Sequence, residues 1–259
     1  MKILITAGGT TEPIDSVRSI TNTSTGKLGS LIAEKFDAIS EVTGIYYVCG
    51  RKSLIPQGTQ AEITYVDTVA SLETAIKGIL KKNDIDIIVH SMAVSDYRIN
   101  KVTSAAVLAN SLNANLKASL SGMPDITEEY IVSLMEASET ILNTDGKIRS
   151  DINNLILTME QTPKIISLFK DIAPNAVLTG FKLLDHAGHK ELIDTAYGLL
   201  EKNRCSFVLA NDLKDITAKG HVGYLIDREK NYATYSTKEA IAEAIVQTTV
   251  KYLKVTRGL

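Results

Sequence analysis

The feature that most constrains the fold is an alternation of short β-branched runs with amphipathic segments of helical period. Strands are predicted at Lys2–Thr6, Gly44–Cys49, Ile63–Val66 and Ile85–His90. The intervening segment from Lys27 to Ala38 places its apolar residues on one helical face. Because parallel neighbours are joined by crossover helices, the alternation predicts an α/β fold with a mostly parallel sheet. We expect a modified Rossmann-like, doubly wound arrangement.

The second half of the chain repeats this pattern and ends differently. Further strands are predicted at Asn154–Met159, Ala176–Lys182 and Phe207–Asn211, with a helix at Pro163–Lys170. Gly223–Asp227 and Tyr232–Tyr235 flank a polar turn, which predicts an antiparallel hairpin at the sheet edge. The last helix is expected to begin with the capping-box pattern of Ser236 to Glu239 and to run to about Val255.

Between these halves the periodicity fades. Residues 100–152 are rich in Ser, Asn, Thr and Ala, and only Ile126–Ala137 reads as a helix. So long a stretch with little helix or strand signal is unusual for a plain connection, and it favours a lid or flap insertion. An ordinary surface insertion is the alternative. With no repeat and no linker, we expect one domain over 1–259 that carries a flap at about 100–152.

Composition excludes several classes of partner. The formal charge of −2 gives no long-range attraction for nucleic acid or an anionic membrane. The chain shows no signal-peptide pattern, and no apolar run approaches the roughly 20 residues that span a bilayer. We therefore expect a cytoplasmic protein with no nucleic-acid and no membrane partner. Cys49 and Cys205 lie in apolar stretches and are expected to be inert buried thiols.

The segment from Ile5 to Gly29 carries the clearest chemistry. Its glycines Gly8 and Gly9 follow a strand and allow close approach of a ligand to the backbone. Free amides, hydroxyls and a lysine then meet at the start of the next helix, at Ser24, Thr25, Gly26 and Lys27. Such groups favour phosphate. The spacing fits neither the G-x-G-x-x-G fingerprint nor a Walker A loop, so a plain glycine turn with a helix cap stays open at this level.

The same segment resembles the N-terminal signature of phosphopantothenate–cysteine ligases, whose pattern is close to I-T-A-G-x-T-x-E-P-[IL]-D-x-V-R-x-I-x-N-x-S-[ST]-G-K-x-G. Segments that resemble further family motifs follow in order at Met92–Arg98, Lys147–Ser150, Gln161–Ile165, Gly180–Lys182 and Val208–Asp212. The resemblance implies a ligase of coenzyme A biosynthesis. Such an enzyme activates the carboxylate of 4′-phosphopantothenate with CTP or ATP, releases pyrophosphate and couples the acyl group to cysteine.

The resemblance also implies roles for single residues. Asn22 matches the catalytic asparagine, whose amide N–H is expected to bind the developing oxyanion, although a local loop turn is the alternative. Lys147 matches the lysine of the lid, which neutralises the acyl phosphate while the lid excludes water. For a lone loop lysine, a solvated surface position is the alternative.

Further residues of the site are carried over in the same way. The implied nucleotide-binding residues are Gly8, Gly9, Thr10, Ser24, Thr25, Gly26, Lys27, Asp96, Thr162, Pro163, Lys164, Ile165, Phe181 and Lys202. The implied substrate-binding residues are Arg18, Asn22 and Ala93. Core packing is the alternative for Phe181, and a helix-end role is the alternative for Lys202.

The chain departs from the family pattern where the nucleotide is chosen. Gly198 stands where the family usually has a second lysine, and Lys164 replaces an aspartate. The lid motif Lys147–Ser150 also lacks the paired lysines of CTP-using members, so CTP against ATP stays open. Mg²⁺ is expected to ride on the triphosphate without a dedicated protein metal site. A homodimer and a separate phosphopantothenoylcysteine decarboxylase are also implied.

Two alternatives compete with the ligase, and one histidine pair could suggest a metal site. Tyr97 and Lys101 fit the Y-x-x-x-K pair of short-chain NAD(P)-dependent dehydrogenases, but the glycine fingerprint is missing. His186 and His189 suggest a metal site that has no third ligand at a suitable spacing. A non-catalytic nucleotide-binding sensor would keep the glycine loop but would need neither the catalytic asparagine nor the lid lysine.

Overall fold

A computed structural model describes residues 1–119, 126–137, 142, 144–217 and 220–258. The chain divides into two compact units. The first comprises Met1–Thr11, Thr21–Ser95 and Pro163–Leu259, and the second comprises Glu12–Ile20 and Asp96–Thr162. The described part of the expected flap lies in the second unit. A single domain over the whole chain stays a prediction.

The described residues form the following elements. The strands are β1 (Lys2–Ala7), β2 (Thr11–Pro13), β3 (Ser19–Thr21), β4 (Gly44–Gly50), β5 (Glu62–Val66), β6 (Ile87–His90), β7 (Tyr97–Ser104), β8 (Leu155–Gln161), β9 (Val177–Leu184), β10 (Phe207–Asp212), β11 (Gly223–Ile226) and β12 (Tyr232–Tyr235). The helices are α1 (Lys27–Asp37), α2 (Val69–Lys82), α3 (Ala105–Ser119), α4 (Glu128–Ala137), α5 (Ile165–Ile172), α6 (His189–Lys202) and α7 (Lys238–Arg257), with a 3-10 turn at Leu213–Asp215.

The first unit is built on one sheet, whose described strands run in the order β12-β11-β10-β9-β6-β1-β4-β5. All neighbours are parallel except β10–β11 and β11–β12, which are antiparallel. The mostly parallel sheet with an edge hairpin is therefore confirmed. From β1 the chain adds strands on one side, at β4 and β5, and then on the other side, at β6. The strand order thus reverses beside β1, which makes this the switch point of the sheet.

Helices cover both faces of this sheet, as a doubly wound fold requires. Successive residues of β1 point to opposite faces, so Ile3 and Ile5 pack in one core cluster while Leu4 packs in the other. The first cluster takes its helical residues from α1 and α7, and the second takes them from α2, α5 and α6. Among the described helices, none combines the length and apolar character that a membrane crossing demands.

The second unit differs from the expectation for this region. It contains the antiparallel pair β7–β8 and the helices α3 and α4. We predicted α4, two residues longer at its start, but β7 and α3 were missed. The helix α3 carries several Asn and Ser residues and lacks a clear apolar stripe, and the pairing of β7 shifts register between Ile99 and Lys101. Strand β8 was predicted, but its partner is β7 and not the large sheet.

Two helix starts also need small corrections. The N-cap of α7 is Thr237 and not Ser236, because the Thr237 hydroxyl accepts the Ala240 N–H at 3.1 Å. Helix α5 begins at Ile165 after its N-cap Lys164, so Pro163 precedes the first turn. Both starts lie within the ordinary scatter of helix boundaries.

Candidate active site

The loops that follow β1 and β6 are joined by backbone hydrogen bonds at the switch point. The Ala93 N–H donates to the Gly8 carbonyl at 2.8 Å, and the Thr10 N–H donates to the Ala93 carbonyl at 3.1 Å. Gly9 and Ala93 therefore continue the parallel pairing past the ends of the two strands. Open α/β sheets bind ligands in the crevice outside the carboxyl ends of their strands at such a point. The structure thus brings Gly8, Gly9, Thr10 and Ala93 together where a ligand is expected.

A buried hydroxyl pair stiffens these loops. The Thr10 hydroxyl donates to the Ser95 hydroxyl oxygen at 3.0 Å, and the Ser95 N–H donates back to Thr10 Oγ1 at 2.8 Å. Both side chains are buried. Satisfied polar groups in a low-dielectric interior hold one geometry, so the backbone around Thr10 is a rigid support for the groups beside it.

Beneath these loops lies a buried histidine. His90 Nδ1 is 2.7 Å from the Thr6 hydroxyl oxygen, and the ring meets the edge of Phe169. Burial lowers the pKa of His90 to about 4, so the imidazole is neutral at pH 7. It adds no charge beneath the loops.

Asn22 is fixed to the same loops by two hydrogen bonds. Its backbone N–H donates to the Thr10 carbonyl at 3.1 Å, and its side-chain Nδ2 donates to the Val94 carbonyl at 3.0 Å. These partners are distant in sequence, so the side chain is oriented by the fold and not by a local turn. The amide carries two N–H groups, and the bond to Val94 uses one of them. The second can therefore be presented to a ligand in a fixed direction.

The small size of Gly9 allows the Asn22 backbone to pack directly against the loop that follows β1. A Cβ built at this position would lie 1.9 Å from the Asn22 carbonyl oxygen, far inside any ordinary contact. The absence of a side chain at Gly9 therefore permits the observed packing of the two loop segments.

The start of α1 has the features of an anion site. Gly26 is the N-cap and has a left-handed φ of 73°, which a glycine adopts without steric cost. Gly26 has no side chain to cap the helix, and the Thr25 hydroxyl accepts the Lys27 N–H at a long 3.4 Å. The first turn holds no acidic residue. The Ser24 and Thr25 side chains are exposed and Lys27 is half-buried. The N–H groups of the first helical turn and the positive end of the helix dipole favour phosphate here.

Four other predicted nucleotide residues lie toward the same edge of the sheet, Phe181 on β9 and three more around the start of α5. Val89 of β6 is level with Thr179 of β9, so Phe181 lies just past the end of β6. Its side chain is half-buried and packs against the core on the α1 and α7 face. Helix α5 ends close to the start of β9, so its first residues lie toward the carboxyl edge. The Ile165 side chain is buried in the core, while Pro163 and Lys164 are exposed.

Lys202 is not brought to this edge. It lies in the last turn of α6, which returns the chain from the carboxyl end of β9 to the amino end of β10. The next segment confirms the direction, because the Ser206 N–H donates to the Leu178 carbonyl near the start of β9. Lys202 therefore lies at the opposite edge of the sheet from Gly8 and Thr10. Its role as a triphosphate contact stays a prediction that this geometry does not support.

The remaining predicted site residues belong to the second unit. Lys147 is exposed in the loop that leads to β8. The Arg18 guanidinium binds the Asp15 carboxylate and the Ile148 carbonyl. The Thr162 N–H donates to the Asp96 carbonyl at 3.0 Å, so these two predicted nucleotide residues are neighbours.

The motifs of the competing alternatives have ordinary structural explanations. Tyr97 and Lys101 lie on strand β7, where residues four apart are roughly 13 Å apart along the strand, so they do not share a helix face. His186 Nδ1 is 2.6 Å from an Asp185 carboxylate oxygen, and His189 Nε2 is 3.0 Å from the Tyr232 hydroxyl. Over the described ranges, no three His, Cys, Asp or Glu side chains come together as a metal site.

Sequence reasoning missed three groups. Ser95 and the Val94 carbonyl lie inside the Met92–Arg98 motif, so the signal was present but only Ala93 and Asp96 were selected. Asp15 lies inside the N-terminal signature and is the buried partner of Arg18. Burial alone raises the pKa of Asp15, but hydrogen bonds from Arg18, Val17 and Ile148 outweigh it and hold this pKa well below its usual value.

Comparison with known proteins shows the family of this chain. The family model of the DNA/pantothenate metabolism flavoprotein C-terminal domain matches residues 1–142 and 139–253. The chain belongs to this family. The family suggested by the sequence motifs is thereby confirmed.

Individual relatives fit the same assignment. The coenzyme A biosynthesis bifunctional protein CoaBC of Thermococcus kodakarensis is 31% identical over 94% of this chain and 49% of its own length. The chain spans about half the length of the curated relatives it matches. The crystal structure of the DNA/pantothenate metabolism flavoprotein from Streptococcus pneumoniae has a TM-score of 0.76 and 31% identity, covering 97% of this chain and 99% of that one. A Cab2 mutant in complex with phosphopantothenate-cysteine shares the fold, with a TM-score of 0.66, 18% identity and coverage of 99% and 88%.

Proposed function

We propose that this protein is a phosphopantothenate–cysteine ligase of coenzyme A biosynthesis. The observation that carries the proposal is the fixed Asn22 amide at the switch point, on the loop that leads into the start of α1. The Asn22 amide can donate to a developing oxyanion, and the N–H groups at the start of α1 can bind phosphate. The family membership and the phosphopantothenate-cysteine complex of the Cab2 relative support the same choice.

The reaction has two steps. A carboxylate oxygen of 4′-phosphopantothenate attacks the α-phosphorus of the nucleoside triphosphate, and pyrophosphate leaves with its bonding electrons. The cysteine amine then attacks the activated carbonyl carbon, the bond to the nucleotide oxygen breaks, and nucleoside monophosphate and a proton are released. Negative charge grows on the carbonyl oxygen in the second step, which is where the free N–H of the Asn22 amide would donate.

The other groups would act on phosphate. The N–H groups at the start of α1, with the Ser24 and Thr25 hydroxyls and Lys27, would hold phosphate oxygens. Lys147 is the proposed cation for the acyl phosphate. Mg²⁺ would enter on the triphosphate and neutralise part of its charge, since it takes few protein ligands in such sites.

The nucleotide, the assembly and the next enzyme also belong to this proposal. The nucleotide would be CTP or ATP, since Lys147–Ser150 lacks the paired lysines of CTP-using members and Lys164 replaces the family's usual aspartate. We propose a cytoplasmic homodimer, which sedimentation at micromolar concentration would test. A separate phosphopantothenoylcysteine decarboxylase would act on the product.

The decisive experiment follows both products. The purified protein is incubated with 4′-phosphopantothenate, Mg²⁺ and either CTP or ATP, with and without cysteine, while pyrophosphate and nucleoside monophosphate are measured. The ligase predicts pyrophosphate release that depends on phosphopantothenate, and monophosphate with the cysteine conjugate once cysteine is added. Nucleotide binding without any turnover would refute the ligase and favour the nucleotide sensor.

A further inference from the structure

A buried carboxylate clamps the segment that carries Lys147. Asp15 lies in the turn between β2 and β3, where its sequence neighbours Ser16, Val17 and Arg18 are exposed. The Asp15 side chain is nevertheless fully buried. A buried charge is costly unless it is paired and hydrogen-bonded, so the contacts of Asp15 deserve a functional explanation.

The two carboxylate oxygens of Asp15 have separate tasks. Oδ1 accepts the N–H groups of Val17 at 2.9 Å and Arg18 at 2.8 Å, which closes the local turn. Oδ2 accepts from the Arg18 guanidinium, at 2.9 Å from Nε and 2.5 Å from Nη2, and from the Ile148 N–H at 3.1 Å. The first oxygen therefore builds the turn, and the second ties the turn to a segment far along the chain.

Ile148 is held on both sides of its α-carbon. Its N–H binds Asp15, its carbonyl accepts from Arg18 Nη2 at 2.9 Å, and its side chain is buried. The Ile148 N–H belongs to the peptide group that begins at Lys147. Because that group is planar, fixing the N–H also fixes the Lys147 carbonyl and α-carbon. The Lys147 side chain itself remains exposed.

We propose that Asp15 is a positioning residue that holds the Lys147 backbone in place through the Ile148 amide, so that the lysine ammonium works from a fixed anchor. This inference rests on the proposed ligase, because the ligase gives Lys147 its task. The pKa of Asp15 lies well below its usual value, so the carboxylate stays ionised and able to accept these bonds at working pH.

Asp15→Asn selectively tests the bond between the Asp15 carboxylate and the Ile148 N–H, which we call the clamp. Asparagine can keep its carbonyl oxygen on the Val17 and Arg18 N–H groups, as Asx turns allow. Its NH2 group then faces the Ile148 N–H and the guanidinium, where two donors meet and no bond forms. Asp151→Asn is the matched control, because Asp151 lies in the same loop but pairs with the exposed Arg149.

The activity test is a double-mutant comparison. We expect Asp15→Asn to lower kcat on the order of 100-fold, the effect of misplacing a catalytic group by about 1 Å. KM for phosphopantothenate reports separately on Arg18, the other group that Asp15 holds. In a Lys147→Ala background, Asp15→Asn should lower kcat by less than about threefold, since the lysine to be positioned is gone. Equal losses in both backgrounds, or a wild-type kcat in Asp15→Asn, would overturn the proposal.

A second measurement does not depend on catalysis. Trypsin cleaves after lysine, so the rate of cutting between Lys147 and Ile148 reports directly on the clamp. Asp15→Asn should speed this cut at least tenfold at an unchanged melting temperature, while Asp151→Asn should leave it unchanged. If the wild type shows no ligase turnover, the ligase proposal fails. The rate of tryptic cutting after Lys147 then tests by itself whether Asp15 holds this segment. An unchanged rate in Asp15→Asn refutes it.

Should Asp15→Asn melt early, Asp15→Ser replaces it. A serine hydroxyl can still cap the local turn but is too short to reach the Ile148 amide. The same faster cut and the same non-additive loss are expected of this variant. Their absence counts against the clamp.

Discussion

Gly9→Ala is the sharpest test of the site geometry. The new Cβ would lie 1.9 Å from the Asn22 carbonyl oxygen and 3.0 Å from its carbon. To restore even the 3.0 Å below which real Cβ contacts essentially do not occur, the two segments must separate by about 1.1 Å. That shift moves the backbone that carries the Asn22 amide, and no flexible side chain can absorb it.

The expected magnitude follows from the displacement. A misplacement of about 1 Å at a reacting group costs roughly 100-fold in rate, so kcat for pyrophosphate release should fall by about two orders of magnitude. Overpacking of this kind also costs about 1–3 kcal/mol of stability, which for a chain of this size lowers Tm by several degrees. The assays are pyrophosphate release with phosphopantothenate and nucleotide, and thermal unfolding of the same sample.

Gly78→Ala is the matched control for this substitution. Gly78 lies in α2, and beyond its chain neighbours and the adjacent helix backbone no described atom comes within 4 Å of the position that its Cβ would occupy. This variant should keep wild-type activity and gain about 0.5–1 kcal/mol, because alanine favours the helix. A Gly9→Ala protein with wild-type kcat and Tm would refute the tight packing of Gly9 on Asn22.

Three further outcomes are expected. Asn22→Ala should lower turnover by roughly two to three orders of magnitude, the usual cost of an oxyanion donor, and wild-type rates would remove this residue from the mechanism. Because the folded pKa of His90 is about 4 against an ordinary 6.5, the unfolded chain takes up a proton below about pH 6.5 that the folded chain refuses. Stability is thus lost as pH falls. From pH 7 to 5, the unfolding free energy of the wild type should drop about 2 kcal/mol more than that of His90→Gln. Identical pH profiles of the two proteins would contradict this. Burial raises the pKa of Cys49 to about 11 and of Cys205 to about 12, so a thiol reagent at pH 8 should label neither until the protein is denatured, and rapid labelling of the native protein would disprove it.

The amino-acid sequence by itself determined the framework of the first unit. Buried strands such as β1 and β6 hold consecutive apolar residues, at positions 3–5 and 87–89, because both of their faces are covered by helices. Local signals also located the edge hairpin β11–β12. Such features depend on neighbours within a few residues, and so they can be read along the chain. The family motifs likewise located Asn22 and its loop.

Only the tertiary structure decided how distant residues meet. The strand order brings Ala93 beside Gly9 and aims the Asn22 amide at the Val94 carbonyl. It also carries Lys202 to the opposite edge of the sheet, although the motif had grouped it with the other nucleotide residues. In the second unit, the pairing of β8 with β7 and the bond from Ile148 to Asp15 had no local signal. Hydrogen bonds between such remote positions are set by strand order and register, which no short window of sequence contains.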